Sequence, residues 1–91
     1  MPAQRRVVHF AGTVQGVGFR FTALRAAERF DVTGEVRNLP DGRVRVIVEA
    51  DPEEIDAFIA EVQRRMSGYI RRTSQDTAEP TGRFAGFSLG I

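Results

Sequence analysis

The apolar residues of this chain recur with two different periods. Val7 to Gly12 is a short apolar run that reads as a strand. From Phe19 to Phe30, the residues Phe19, Ala23, Ala26, Ala27 and Phe30 fall at helical spacing, with Arg25, Glu28 and Arg29 off that stripe. Val32 to Val36 predicts a second strand. Pro40-Asp41-Gly42 is a strong turn signal. Val44, Val46 and Val48 then alternate with Arg43, Arg45, Ile47 and Glu49, which predicts a third strand with one buried face. The second helix is the clearest element. Asp51 suits its N-cap, Pro52 its first position, and Glu54 a box-like start. Ile55, Phe58, Ile59, Val62 and Met66 form its apolar stripe, and Gly68 suits its C-cap. Tyr69 to about Thr73 predicts a fourth strand, Thr77 to Gly82 a loop, and Phe87, Leu89 and Ile91 a short last strand.

The order is β-α-β-β-α-β with an extra short strand at the end. It predicts an α+β chain, a ferredoxin-like βαββαβ two-layer sandwich in which two helices cover one face of an antiparallel sheet. No repeat, linker or low-complexity segment interrupts it, so residues 1–91 read as a single domain. This topology has a consequence for chemistry. A β-α-β crossover makes its two strands parallel, so the first and second strands end at the same edge of the sheet. The segment after the first strand contains Arg20, and the second strand ends near Asn38. The two are expected to meet although 18 positions separate them.

Composition narrows the function. The net charge of +1 argues against a large nucleic-acid footprint. No apolar run approaches the roughly 18 residues of a membrane span. The N-terminus does not resemble a signal peptide. With no Cys, there is no disulfide framework, thiolate metal site or thiol nucleophile, and a cytoplasmic location is the default. All 13 basic residues are Arg. Codon bias in a GC-rich genome is a simpler source of that than selection for anion binding, but the absence of Lys removes Schiff-base and lysine-nucleophile chemistry.

The segment between the first strand and first helix is Gly12-Thr13-Val14-Gln15-Gly16-Val17-Gly18-Phe19-Arg20. Glycines just before a helix start can turn backbone N–H groups inward and align them with the positive end of the helix, which holds a phosphate-like dianion. Arg20 adds a planar donor fork. The alternative is a tight strand-to-helix turn that needs glycine for its backbone angles. There is no G-K-[ST] ending, and the third glycine of a dinucleotide fingerprint is missing. A phosphoryl group in this loop would meet N–H donors, Arg20 and the Asn38 carboxamide. It would meet no protein nucleophile and no evident general base; the lone His9 lies one strand earlier. Such a site suits water attacking a phosphorus that carries a good leaving group, because phosphoryl transfer runs mostly on positioning and charge stabilisation. An amide can orient a water through its C=O while its NH2 holds a phosphate oxygen.

These residues carry a family resemblance. G-T-V-Q-G-V-G-F-R, then Gly34-Glu35-Val36-Arg37-Asn38, then Asp41-Gly42 before a β-branched strand, resembles the acylphosphatases over nearly the whole chain. The resemblance implies metal-independent hydrolysis of a small-molecule acyl phosphate to a carboxylate and phosphate, with no cofactor. It implies phosphate binding by the backbone of Gln15, Gly16, Val17, Gly18 and Phe19 with Arg20, and a water held by Asn38. Carboxylate is a good leaving group, which agrees with the missing general acid. Departures lie outside these motifs: Glu35 stands where such sequences often have Trp, Ala50 where Gly is common, and Ser67-Gly68-Tyr69 replaces a frequent Gly-Pro pair. They bear on acyl-side contacts and the exit of the second helix more than on the chemistry.

Each of these residues has a plainer reading. Arg20 would be a solvated residue at the first helical turn, an unfavourable place for a cation near the positive dipole end. Asn38 would be a turn residue before Leu39-Pro40. Gln15 is expected to shape the loop more than touch reacting atoms. Phe19, Phe21, Phe30 and Phe58 are expected in the core, and Arg64-Arg65 and Arg71-Arg72 on solvated surface. Three rival functions share the topology. An RNA-binding module would stack bases on sheet aromatics, and the third strand has none on its polar side. A phosphate- or carbamoyl-phosphate-binding module would belong to a larger assembly, as in hydrogenase-maturation carbamoyltransferases. A regulatory small-molecule module would need no water site. The reading favours a free-standing monomeric enzyme, with Arg-rich outer strands discouraging pairing between chains.

Overall fold

The computed structural model describes residues 3–90. The elements are β1 (Gln4–Gly12), α1 (Phe19–Ala27), β2 (Thr33–Asn38), β3 (Val44–Ala50), α2 (Pro52–Arg65), β4 (Ile70–Ala78) and β5 (Phe87–Leu89). They form one sheet in the order β4-β1-β3-β2-β5. β3 lies antiparallel to both β1 and β2, so β1 and β2 run parallel and end at one edge, as the crossover requires. The first four strands follow the ferredoxin-like order. The added β5 pairs parallel with β2, so the sheet is mixed and not wholly antiparallel.

Register explains the core. Val8 and Val36 both pair with Val46, and Phe10 pairs with Val44. Alternate positions of three strands therefore share one face. The stripe of α2, Ile55, Phe58, Ile59 and Val62, packs onto that face together with Phe19, Ala23 and Ala26 of α1. Phe10 and Phe19 rings sit 5.0 Å apart, and the Phe58 ring meets those of Phe30 and Phe87 edge-on at 6.2 and 5.2 Å.

Several local expectations need correction. α1 stops at Ala27, because Glu28, Arg29 and Phe30 each donate to the carbonyl three residues back, a tightened last turn. Asp51 sits at the N-cap of α2 with no side-chain hydrogen bond. Glu54 makes no capping box; its carboxylate instead accepts the Asp31 N–H at 2.8 Å. Met66, not Gly68, caps the C-terminus of α2. β4 runs to Ala78, well past Thr73 and into the expected loop. Phe21 is 60% exposed and does not belong to the core. The expected place of Ile91 in the last strand lies outside the described residues.

β3 is not buried on one face only. Ile47 and Glu49, on the side away from the helices, are 6% and 5% exposed. The reason is topological. β4 and β5 occupy opposite edges of the sheet, and residues 79–86 link them across this second face. Glu49 fastens that strap. Its carboxylate accepts the Thr81 N–H at 2.9 Å, the Thr81 hydroxyl at 2.8 Å and the Gly82 N–H at 2.8 Å, and pairs with Arg5 at 3.1 Å. Burial would raise the Glu49 pKa, but the Thr81, Gly82 and Arg5 hydrogen bonds prevail and hold it at about 2.

Candidate active site

The ends of β1 and β2 and the start of α1 enclose a cleft of about 170 Å³. Gly16, Gly18, Arg20 and Asn38 supply its polar lining; Val14, Phe19, Phe21 and Leu89 supply the rest. Gly16 and Gly18 have φ of 78° and 79°. A Cβ at either would meet nothing within 4 Å, so the backbone hand, and not crowding, is what calls for glycine. Backbone of this hand can turn neighbouring N–H groups toward one concave side, the arrangement that forms an anion nest.

Gly18 is also the N-cap residue of α1, where no side chain caps the helix and no acidic residue occupies the first turn. The Thr22 N–H bonds back to the Gly18 carbonyl at 3.0 Å. The N–H groups before it in the first turn have no helical acceptor, so the positive end of α1 opens onto the cleft. Arg20 stands in this turn, exposed, and forms no ion pair among the described residues. Among the described residues, no Asp, Glu or His lines the cleft.

Gln15 joins the two halves of the site. Its side-chain amide donates to the Leu39 carbonyl at 2.8 Å and the Arg43 carbonyl at 3.0 Å. Both acceptors belong to the turn that follows Asn38, where the Leu39 N–H also bonds the Arg43 carbonyl at 2.8 Å. The loop after β1 is thereby tied to the end of β2. The Asp41 carboxylate, whose pKa is lowered chiefly by the Arg43 N–H, closes the same turn. His9 lies on β1 away from the cleft, and burial and then Arg43 and Arg45 lower its pKa.

Of the residues singled out from sequence, Gly16, Gly18, Phe19, Arg20 and Asn38 line one cleft. Gln15 sends its side chain into the neighbouring turn, and Val17 packs at the margin of the core. Sequence reasoning missed Phe21 and Leu89. A signal for Phe21 was present: it lies two positions from Phe19, about 200° around the helix from the buried stripe. Leu89 offered none, because its alternation with Phe87 is also that of an ordinary buried strand.

A ferredoxin-like sandwich whose cleft opens at a helix N-terminus, with glycine backbone and an Arg in its lining, has the features of an anion site. Comparison with known proteins narrows the class. The acylphosphatase family matches residues 6–89. An acylphosphatase from Methylococcus capsulatus is 46% identical over 81 residues, 87% of each chain. The crystal structure of acylphosphatase from Bacillus subtilis superposes with a TM-score of 0.83 at 26% identity, covering 98% of this chain and 99% of that one. HypF from T. kodakarensis matches 97% of this chain at 30% identity and a TM-score of 0.82, over only 12% of its own length. The chain belongs to the acylphosphatase family and is a hydrolase of acyl phosphates.

Proposed function

We propose that Arg20 and the backbone N–H groups from Gln15 to Phe19 hold the phosphoryl group of an acyl phosphate while Asn38 orients the attacking water. The observation that carries this reading is that Arg20 and Asn38, from two different elements, line one cleft with Gly16 and Gly18. The Asn38 carbonyl accepts from water and its NH2 donates to a phosphoryl oxygen. A water oxygen bonds to phosphorus as the P–O bond to the acyl group breaks in line. The electron pair leaves on the carboxylate, and the water's proton passes to phosphate oxygen. Arg20 and the N–H groups offset charge on the equatorial oxygens throughout. The reaction then needs no metal, no protein nucleophile and no side-chain base.

We assign this activity to a single-domain monomer in the cytoplasm acting on a small molecule, not on nucleic acid. In support, the strap at 79–86 crosses the sheet face that an RNA-recognition module would leave open. The test is hydrolysis of benzoyl phosphate in EDTA by wild type, Arg20→Ala and Asn38→Ala. The expected result is turnover by wild type and a fall of roughly a hundredfold or more in each variant, the scale of one lost transition-state contact. Variants that retain wild-type kcat would remove both residues from the mechanism. Loss of wild-type activity in EDTA would refute metal independence.

A further inference from the structure

Among the described residues, three large apolar side chains stand exposed: Phe21 at 60%, Leu89 at 45% and Tyr69 at 42%. Isolated exposed apolar residues are ordinary. Here two of the three, from elements far apart in sequence, line the same cleft as Arg20 and Asn38. Phe21 follows Arg20 in the first turn of α1, where helical side chains lean back toward the N-terminus and hence over the loop. The Arg25 guanidinium, one turn further on, lies 5.7 Å from the Phe21 ring centroid, within cation–π range. Leu89 is brought in by β5, where it pairs with Val36, two residues before Asn38. The catalytic reading requires neither side chain, since neither offers a donor, acceptor or charge to a phosphoryl group.

We propose that Phe21 and Leu89 form the wall against which the acyl group of the substrate packs, and that they select acyl phosphates whose acyl part is apolar, an aromatic ring above all. This rests on the assignment of the phosphoryl group to the glycine loop. A substrate anchored there has its acyl end in the remainder of the cleft, whose non-polar lining includes these two residues together with Val14 and Phe19. Among the described residues, no carboxylate lines that end to repel an anionic acyl group. Selectivity therefore arises from apolar packing of the acyl group on the wall, and it is graded. One methylene more or less in a hydrophobic pocket discriminates by about 10- to 200-fold. An open cleft belongs at the lower end of that range.

The experiment compares kcat/KM for benzoyl, acetyl and succinyl phosphate in wild type, Phe21→Ala, Phe21→Leu and Leu89→Ala. The competitive inhibition constant of inorganic phosphate is measured alongside as a separate gauge of the loop. The benzoyl-to-acetyl ratio is expected to fall about tenfold in Phe21→Ala and several-fold in Leu89→Ala, chiefly through KM for benzoyl phosphate. Phe21→Leu should recover part of it, and phosphate inhibition should persist. Comparing each variant with wild type cancels the intrinsic reactivities of the substrates. Ratios that stay at the wild-type value with phosphate inhibition intact would overturn the wall alone, as would a wild type that prefers succinyl over benzoyl phosphate. A wild type with which phosphate does not compete would overturn the loop assignment, and the wall with it.

Discussion

Replacing Glu49 with Gln isolates the fastening of the strap. The carboxylate accepts three hydrogen bonds from Thr81 and Gly82 and pairs with Arg5, while only 5% exposed. A Gln at this position keeps the shape but turns one acceptor oxygen into an NH2 donor facing donors. Hydrogen bonds to a charged acceptor contribute about 1.5–3 kcal/mol each when tested by mutation, and they are not additive. The lowered pKa, which those same hydrogen bonds cause, gives a figure of the same size: a displacement from 4.5 to about 2 corresponds to about 3 kcal/mol at neutral pH. Both routes give about 2–3 kcal/mol for Glu49→Gln at pH 7, or a fall in Tm of about 10–20 °C for a domain of this size. Because the folded pKa lies below the unfolded one, this stabilisation is complete above about pH 4.5. It is lost as the pH falls toward 2, as the wild-type carboxylate protonates. Urea denaturation of both proteins at pH 7 and pH 2.5 should therefore show the difference shrinking to below about 1 kcal/mol at the lower pH. A difference under about 0.5 kcal/mol at pH 7, or one equal at both pH values, would refute the assignment of strap stability to this carboxylate.

Gln15→Ala removes both donors that tie the loop to the turn after Asn38, and is expected to lower stability by about 1–2 kcal/mol and kcat by at least tenfold; denaturation together with benzoyl phosphate kinetics checks both. Gly18→Ala places a side chain where φ is 79° with nothing nearby to clash, so it should cost about 1 kcal/mol through the backbone alone. Thermal denaturation reads that cost, and one above about 3 kcal/mol would mean a collision the open surroundings do not contain.

The order of elements and the meeting of β1 and β2 at one edge were legible in the sequence, because hydrophobic period and crossover handedness determine them. What was hidden depended on the second face of the sheet. Ser74, Gln75, Asp76 and Thr77 carry no apolar alternation, yet they extend β4, since an edge strand takes its bonds from β1 and needs no buried face. Ile47 and Glu49 read as the polar side of β3, and the groups that hold Glu49 inside come from Thr81 and Gly82, more than thirty residues further on. For the site, the glycines, Arg20 and Asn38 were readable as chemistry-bearing residues at fixed places in the topology. The apolar side of the cleft was not, because Leu89 acquires its position from a parallel pairing with β2 that nothing local in β5 specifies.

Arg20 is the residue whose placement conflicts with folding, and that conflict is measurable. A cation in the first turn of a helix opposes the macrodipole and costs about 0.3–1 kcal/mol. Arg20 is exposed and has no ion-pair partner among the described residues to offset this. Arg20→Ala is therefore expected to leave the unliganded protein as stable as wild type, or more stable by a few tenths of a kcal/mol. Phosphate reverses the ranking. A ligand at a hundred times its Kd stabilises the protein that binds it by about 2.7 kcal/mol, and the variant, lacking the guanidinium, should gain little at the same concentration. Thermal denaturation with and without inorganic phosphate separates the cases. A variant less stable than wild type by more than about 1 kcal/mol without phosphate would make Arg20 a structural residue. Equal stabilisation of both proteins by phosphate would leave the loop N–H groups as the whole anion site and take the guanidinium out of it.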